Sequence, residues 1–220
     1  MVNVIIYDFT QKNKYPLQKL VDDLESKIQD ETQGVIINEY DEKFLKARFW
    51  QKKIQKSHRF NPERRDFDII EEEIVSIADF GVEIEDKKLL VFGNKQMAQR
   101  IITLISVVSE NAYLITECAV NIEKFVQRIC EKSDVKLVKM RLVDITIEKG
   151  VMVNCSVNLM AQDDPITLAL KYAHNIIVIA FRLGGIAANI TVYKSGKFSI
   201  SKVDDDSKDE LIQSIINTVR

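Results

Sequence analysis

The stretch ITVYKSGKFSISKVDDDSKDELIQSIINTV, residues 190–219, decides the fold that we expect, because it contains a hairpin followed by a helix. Two alternating segments, Ile190–Lys194 and Lys197–Lys202, flank a turn at Ser195 and Gly196, as in a β-hairpin. The acidic run Asp204–Asp206 then favours a helix N-terminus. Apolar residues follow at helical spacing and predict its buried stripe: Leu211, Ile212, Ile215, Ile216 and Val219.

A similar order occurs upstream in GVEIEDKKLLVFGNKQMAQRIITLI, residues 81–105. Two short alternating segments surround the turn EDK, and a helical pattern follows at residues 95–108. By residue type, Leu89 and Val91 correspond to Phe198 and Ile200. This recurrence is typical of an internal duplication, although an alternating pattern followed by a helix also recurs by chance.

Composition predicts an ordinary globular protein. The chain has 220 residues, of which 46% are hydrophobic and 29% are charged, and its net charge is −2. This balance gives no global attraction to nucleic acid or to an anionic membrane. The N-terminus has no signal-peptide pattern, and the longest apolar run, Ile176–Phe181, is too short to span a bilayer. We therefore expect a cytoplasmic protein with no membrane partner.

The remaining pattern predicts strands and helices in alternation. Helices are expected after Pro16, over 95–108, after Asn121 as an N-cap and after an Asp163 or Asp164 cap. Strands are expected in these further segments: 2–9, 35–40, 69–77, 82–85, 88–92, 113–120, 136–147, 151–159 and 176–183. Residues 41–60 fit either an amphipathic helix or a strand.

The strongest local charge signal is the basic stretch Lys43–Arg65. It contains nine Lys or Arg residues and one acid, Glu63, with aromatic residues between them. Cations that neutralise phosphates, together with an aromatic ring that stacks on a base, are typical of nucleic-acid binding. The candidate binding residues in this stretch are Lys46, Arg48, Trp50, Lys52, Lys53, Lys56 and Arg59.

Two other interpretations of the basic stretch remain open. If residues 41–60 form a strand, Lys46, Arg48, Trp50, Lys52 and Lys56 share one face, which could be a solvated edge or a protein interface. The acidic stretch DFDIIEEE, residues 66–73, follows immediately. If it pairs with the basic stretch across a hairpin, it neutralises the positive charge.

The segment from residue 151 to 220 resembles one half of a TATA-box-binding protein. The resemblance rests on AFRL (180–183) and KSGKFSIS (194–201), which stand in the order and spacing of that family. It implies a curved, saddle-like antiparallel sheet with helices packed on one face. Residues 69–108 match only the last two strands and the helix.

The same resemblance implies a mode of DNA binding. Members of that family lay the open sheet face on the minor groove and insert phenylalanines between base steps. By position, Phe181 and Tyr193 would be the inserted aromatic residues, and Arg182 would contact a flanking phosphate. The upstream half has Ile77 or Ala78 and Ile84 where the matching aromatic residues would stand. A sheet of this kind also serves as a protein-binding module, and Phe181 also fits a buried position in an apolar strand.

No catalytic, metal or cofactor motif is present in the sequence. His58 and His174 are far apart, and the three cysteines have no metal-ligand spacing. Asp66 and Asp68 lack the lysine that typical nuclease patterns place on the next strand. We therefore expect a non-enzymatic protein without a metal or a cofactor.

Together these patterns predict an α+β protein with an N-terminal half at 1–110 and a C-terminal half at 111–220, either separate or continuous. The expected function is a module that binds DNA or RNA, or assembles, in a bacterial or viral genome-handling or defence system. The alternative is a protein–protein interaction subunit whose open sheet face docks a partner or a second copy.

Overall fold

The computed structural model describes residues 1–131, 134–184, 188–201 and 205–219, the last of these without the side chains of 205–209 and 219. These residues form an α+β structure, as the sequence predicts. The strands are β1 Val2–Gln11, β2 Gln33–Tyr40, β3 Phe44–Asn61, β4 Asp66–Glu83, β5 Lys88–Phe92, β6 Tyr113–Glu117, β7 Val135–Glu148, β8 Val151–Asn158, β9 Ile176–Leu183, β10 Asn189–Tyr193 and β11 Lys197–Ser201. The α-helices are α1 Leu17–Lys27, α2 Lys95–Val108, α3 Ile122–Cys130, α4 Pro165–Lys171 and α5 Asp205–Val219.

The chain divides into two compact units. One unit comprises Asp8–Thr116, and the other comprises Met1–Tyr7 together with Glu117–Arg220. Strand β1 is therefore divided: residues 2–7 belong to the unit that contains Glu117–Arg220, and residues 8–11 belong to the 8–116 unit. The division into halves at residue 110 stays a prediction.

In the 8–116 unit, the strand order is β2-β3-β4-β5-β1, and β6 pairs with β1. The β2–β3, β3–β4 and β4–β5 pairs are antiparallel. Alternate residues of β3 and β4 are buried on the side where α1 and α2 contact the sheet, as expected for a sheet with one helix-covered face. These residues are Leu45, Ala47, Phe49, Ala78, Phe80 and Val82.

In the other unit, the order is β1-β11-β10-β9-β7-β8. The pairs from β1–β11 to β7–β8 are antiparallel. The predicted helix caps are confirmed, because Asn121 accepts a hydrogen bond from the Lys124 amide at 3.1 Å and Asp164 accepts one from the Thr167 amide at 3.0 Å. Each cap satisfies a backbone N–H that the first helical turn leaves unpaired.

The recurrent strand–turn–strand–helix order is present in both units. The end of β4, β5 and α2 form one copy, and β10, β11 and α5 form the other. The corresponding residues Leu89, Val91, Phe198 and Ile200 are all buried. The recurrence therefore reflects the same alternation of buried strand positions followed by an amphipathic helix.

Within the ambiguous segment 41–60, residues 44–60 belong to strand β3 and no helix forms. The two predicted strands 69–77 and 82–85 are corrected to a single strand, β4, of 18 residues. Its partner β3 also has 18 residues. Pairing along this whole length satisfies the backbone groups that face the partner strand, in a segment whose side-chain pattern fits a helix equally well.

Candidate interaction site

The β3–β4 hairpin extends beyond its neighbours. Strand β2 pairs with β3 as far as Gln51, and β5 pairs with β4 only over Asp79–Glu83. The next ten cross-strand pairs run from Lys52–Val75 to Asn61–Asp66. Over these pairs, β3 is not paired with β2 and β4 is not paired with β5. We call residues 52–75 the arm. At about 3.4 Å per residue, its paired part is about 34 Å long.

The register of the arm separates its side chains into two faces. Directly opposed residues of an antiparallel pair lie on the same face, and alternate residues along a strand share a face. We call the face that contains Ile54 and Phe60 the apolar face. It contains five of the seven large apolar side chains of the arm: Ile54, Phe60, Phe67, Ile69 and Val75. The opposite face, which we call the polar face, contains Ile70 and Ile74.

The apolar face is exposed. The exposed fraction is 68% for Ile54, 60% for Phe67 and 63% for Ile69. Phe60 and Phe67 contact each other edge to face near the tip, with ring centroids 5.5 Å apart. At the base, Ile77 lies on the same side and is also exposed. The Lys56–Glu71 pair separates these side chains into two exposed groups, one at the base and one at the tip. Single exposed apolar residues are common, but several on one face are typical of an interaction surface.

The charges of the hairpin are segregated by strand. Strand β3 contains six cations and no acid: Lys46, Arg48, Lys52, Lys53, Lys56 and Arg59. Strand β4 contains seven acids and no Lys or Arg: Asp66, Asp68, Glu71, Glu72, Glu73, Asp79 and Glu83. The acidic stretch therefore pairs with the basic stretch across a hairpin, as one of the open interpretations expects.

Ion pairs connect the two strands along the apolar face and its base. The Lys52 ammonium lies 3.2 Å from the Glu73 carboxylate, and the Lys56 ammonium lies 2.7 Å from that of Glu71. At the base, both Arg48 Nε and Nη2 donate to Asp79, at 2.6 and 3.2 Å. Exposed pairs of this kind stabilise by about 0.2–1 kcal/mol each. On this face they leave little positive charge free for phosphates.

The seven predicted nucleic-acid-binding residues of β3 are therefore divided. Lys46, Arg48, Lys52 and Lys56 share the open side of the sheet with Trp50, but each cation has a carboxylate partner; that of Lys46 is Glu39 at 2.9 Å. Lys53 and Arg59 lie on the polar face. Neither forms an ion pair with another described residue.

Trp50 lies over strand β2. A Cβ atom built on Gly34, its cross-strand partner, would lie 2.6 Å from the indole Nε1. The glycine therefore leaves the space that the ring occupies. Trp50 is half-buried, so its ring is partly covered and is not free to stack on a base along both faces.

The residues that the TATA-binding-protein resemblance implies lie in the other unit and do not form one surface. Phe181 pairs with Ile190, is 2% exposed and packs against Phe125, so the interpretation as a wedge is corrected to that of a core residue. Tyr193 pairs with Val178 and lies on the opposite side of the sheet from Phe181. Arg182 shares the side of Tyr193 and donates to Asn189 Oδ1 at 2.5 Å.

The tip of the arm is an ordered turn. Asn61 Oδ1 accepts hydrogen bonds from the amides of Glu63 and Arg64, at 3.0 and 3.3 Å. Asn61 Nδ2 donates to Asp68 at 2.7 Å. Arg65 adopts the left-handed conformation with φ 48° and closes the turn. These contacts fix the register in which the apolar side chains share one face.

Other kinds of site are less well supported among the described residues. No group of three or more His, Cys, Asp or Glu side chains is arranged to hold a metal there. A groove of about 670 Å³ lies beside α2, but its described lining contains Lys95, Gln96 and Arg100 and no acid, His or Cys. Within the described part of the chain, no helix combines the length and hydrophobicity that a transmembrane helix requires.

The residues of the apolar face were not predicted as a site from the sequence. The signal that could have found them is the placement of apolar residues at odd positions 67, 69, 75 and 77, together with Ile54 and Phe60, which are both at even positions. This signal requires the register, because Ile70 and Ile74 interrupt the alternation in the sequence and lie on the other face.

Comparison with known proteins identifies no family. No family model matches the chain, and no curated protein matches it significantly. The family likeness inferred from AFRL and KSGKFSIS therefore stays a prediction.

Proposed function

We propose that this protein is a protein–protein interaction subunit that docks through the apolar face of the arm. The observation that carries the proposal is the separation of five exposed apolar side chains onto one face of a charge-balanced hairpin. A two-stranded hairpin without further packing is marginally stable in water. We therefore expect the stability of an arm of ten pairs to increase when another surface covers it.

The free energy of apolar burial favours a protein surface as the occupant. Full burial of one large apolar side chain stabilises an association by about 1.5–3 kcal/mol. Several such side chains along one face can outweigh the cost of association. Charged residues alternate with the apolar ones on this face, and their ion pairs would remain satisfied beside the buried apolar side chains.

Nucleic-acid binding through β3 is the less favoured alternative. The cations that share a face with Trp50 have carboxylate partners, and the acids of β4 lie within the same hairpin. A phosphate backbone would have to displace these carboxylates, and their negative charges would repel it. The TATA-binding-protein mode has weaker support still, because Phe181 is buried.

Two pairs of substitutions test the proposal. Ile54→Thr with Ile69→Thr removes apolar surface from the apolar face, whereas Ile70→Thr with Ile74→Thr is the matched control on the polar face. Threonine keeps a high strand propensity in both cases. The two variants and the wild type are purified from cells with an affinity tag, and the co-purifying proteins, a second copy included, are quantified by mass spectrometry.

We expect a specific set of co-purifying proteins that the control retains and the apolar-face variant loses. The same preparations are tested for binding of labelled DNA and RNA at low salt, with Lys46→Glu, Arg48→Glu and Lys52→Glu combined as a further variant. Salt-sensitive binding that this triple variant abolishes, without any protein that depends on the apolar face, would overturn the proposal.

A further inference from the structure

We propose that the occupant of the apolar face is a second copy of this chain. The apolar faces of the two arms stack on each other, and both arms point in the same direction. In this arrangement a twofold axis runs along the arm, and β3 of each copy lies over β4 of the other. The inference rests on the proposed function and identifies the partner of the same surface.

The segregation of charge by strand makes the face complementary to itself. On the apolar face, the cations Lys52 and Lys56 belong to β3, and the acids Glu71 and Glu73 belong to β4. A twofold axis along the arm exchanges the two strands, so Lys56 of each copy faces Glu71 of the other, and Lys52 faces Val75 with Glu73 diagonal to it. This is the self-complementary geometry that a twofold interface requires.

The other twofold arrangement lacks this complementarity. If the axis crosses the arm at right angles, the arms point in opposite directions and β3 lies over β3. The cation-bearing strand then faces a cation-bearing strand, and the acids face acids. Like charges brought together in an interface are strongly unfavourable, so charge alone selects the first arrangement.

The aromatic tip and the base of the arm fit the same axis, whereas Ile54, Ile69 and Val75 would face Glu73, His58 and Lys52 of the other copy. Phe60 and Phe67 are directly opposed within one arm, so exchange of the strands places each aromatic ring over the other aromatic position. Trp50 and Ile77 are opposed in the same way at the base. Two sheets that pack face to face lie about 10 Å apart with nearly aligned strands, which suits side chains of this size.

The size of the face predicts a dimer that depends on concentration. An arm about 34 Å long and two strands, or about 10 Å, wide offers a modest area. Its footprint is about 340 Å² on each copy, or about 680 Å² on both, which is below the about 1,200 Å² of stable specific interfaces and typical of weak association. We therefore expect monomers at low concentration and dimers at high concentration.

A charge-swapped chain tests the arrangement directly. It combines Lys52→Glu, Lys56→Glu, Glu71→Lys and Glu73→Lys, so both ion pairs within the arm are kept with the partners exchanged. The swapped chain should fold and associate with itself as the wild type does. A mixed dimer, however, places like charges over each other on both sides of the proposed axis.

The mixture is measured by native mass spectrometry at low salt, with a nitrogen-isotope label on the wild type because the two chains have the same composition. We expect both chains to form their own dimers and the mixed dimer to fall at least about tenfold below random mixing. Far-ultraviolet circular dichroism of the swapped chain confirms that its strands are intact.

Three results would overturn the inference: mixed dimers at or above the random fraction, a wild type that stays monomeric at every concentration, or a folded swapped chain that does not associate with itself. If the wild type is monomeric but a different protein still requires Ile54 and Ile69, only this inference fails. If no protein requires them, the proposed function fails as well.

Discussion

At the scale of single residues, Gly34 has a defined structural role. It lies opposite Trp50, and a side chain there would meet the indole ring. Gly34 therefore allows the ring to lie against β2 at the base of the arm. Trp50 is the only tryptophan in the chain, so its fluorescence reports this contact alone.

Gly34→Ala should displace the ring and destabilise the protein. The new Cβ would lie within 3 Å of Trp50 Nε1 and Gln29 Oε1, and overpacking of this kind typically costs about 1–3 kcal/mol. We expect a red-shifted tryptophan emission and a lower free energy of unfolding. Gly81→Ala is the matched control, because its Cβ would meet only the Leu45 carbonyl at 3.7 Å. Equal emission spectra for the two variants would contradict the assignment.

A second residue-scale feature is a buried pair of tyrosines. The Tyr113 hydroxyl donates to the Tyr15 carbonyl at 2.6 Å, and the Tyr15 hydroxyl donates to the Asp23 carboxylate. Burial raises the pKa of Tyr113 to about 12. Burial, and then the hydrogen bond to Asp23, also raise the pKa of Tyr15. Both phenols are therefore held in the neutral form.

These pKa shifts predict a loss of stability at alkaline pH. Because the folded-state pKa of Tyr113 lies above its ordinary value of 10.0, its contribution is complete below pH 10 and is lost as the pH rises towards 12. Denaturant unfolding over this range should show a falling free energy of unfolding. Tyr113→Phe should be less stable near neutral pH, by about 1–2 kcal/mol, but should lose less stability over the alkaline range. The same slope in both proteins would contradict this account.

At the scale of secondary-structure elements, the arm depends on its own turn and ion pairs. Its residues contribute little to the core of the 8–116 unit, since most of them are exposed. Regions with few buried contacts open at lower free energy than the core. The turn at Asn61 therefore controls how well the apolar face is ordered before a partner binds.

Asn61→Ala should fray the arm without unfolding the protein. It removes the acceptor for the Glu63 and Arg64 amides and the donor to Asp68, and each hydrogen bond contributes about 0.5–1.5 kcal/mol. Hydrogen exchange should accelerate within the arm and stay slow in β5 and α2. Asp41→Ala is the control, because Asp41 accepts from two amides of the β2–β3 turn in the same way. Faster exchange in the arm for this control would contradict a local effect.

The elements differ in how well the sequence predicts them. The N-caps at Asn121 and Asp164 were predicted because a cap is a local contact between neighbours in the sequence. The sequence does not decide the conformation of residues 41–60, because their apolar residues satisfy both the helical and the strand period. Most of this segment forms a strand because it pairs with residues 66–83. This pairing joins residues that are distant in the sequence, so no local pattern predicts it.

At the scale of the whole molecule, the α+β class and the recurrent strand–turn–strand–helix order follow from the sequence. The candidate site does not. The basic stretch was apparent as a run of cations, but its charge is balanced by a neighbouring strand. The apolar face becomes visible only when two strands are aligned, because five residues spread over 54–75 are brought together by the register. Phe181 is the converse case, since a motif suggested exposure and packing buries it.

Sedimentation velocity over a range of protein concentrations tests most directly whether the apolar face of the arm joins two copies of this chain. The wild type and the Ile70→Thr, Ile74→Thr control should shift from monomer to dimer together as the concentration rises. The Ile54→Thr, Ile69→Thr variant should stay monomeric, or should need at least about tenfold more protein, because lost apolar contact at an interface weakens association. If all three proteins sediment alike at every concentration, the arm is not the interface.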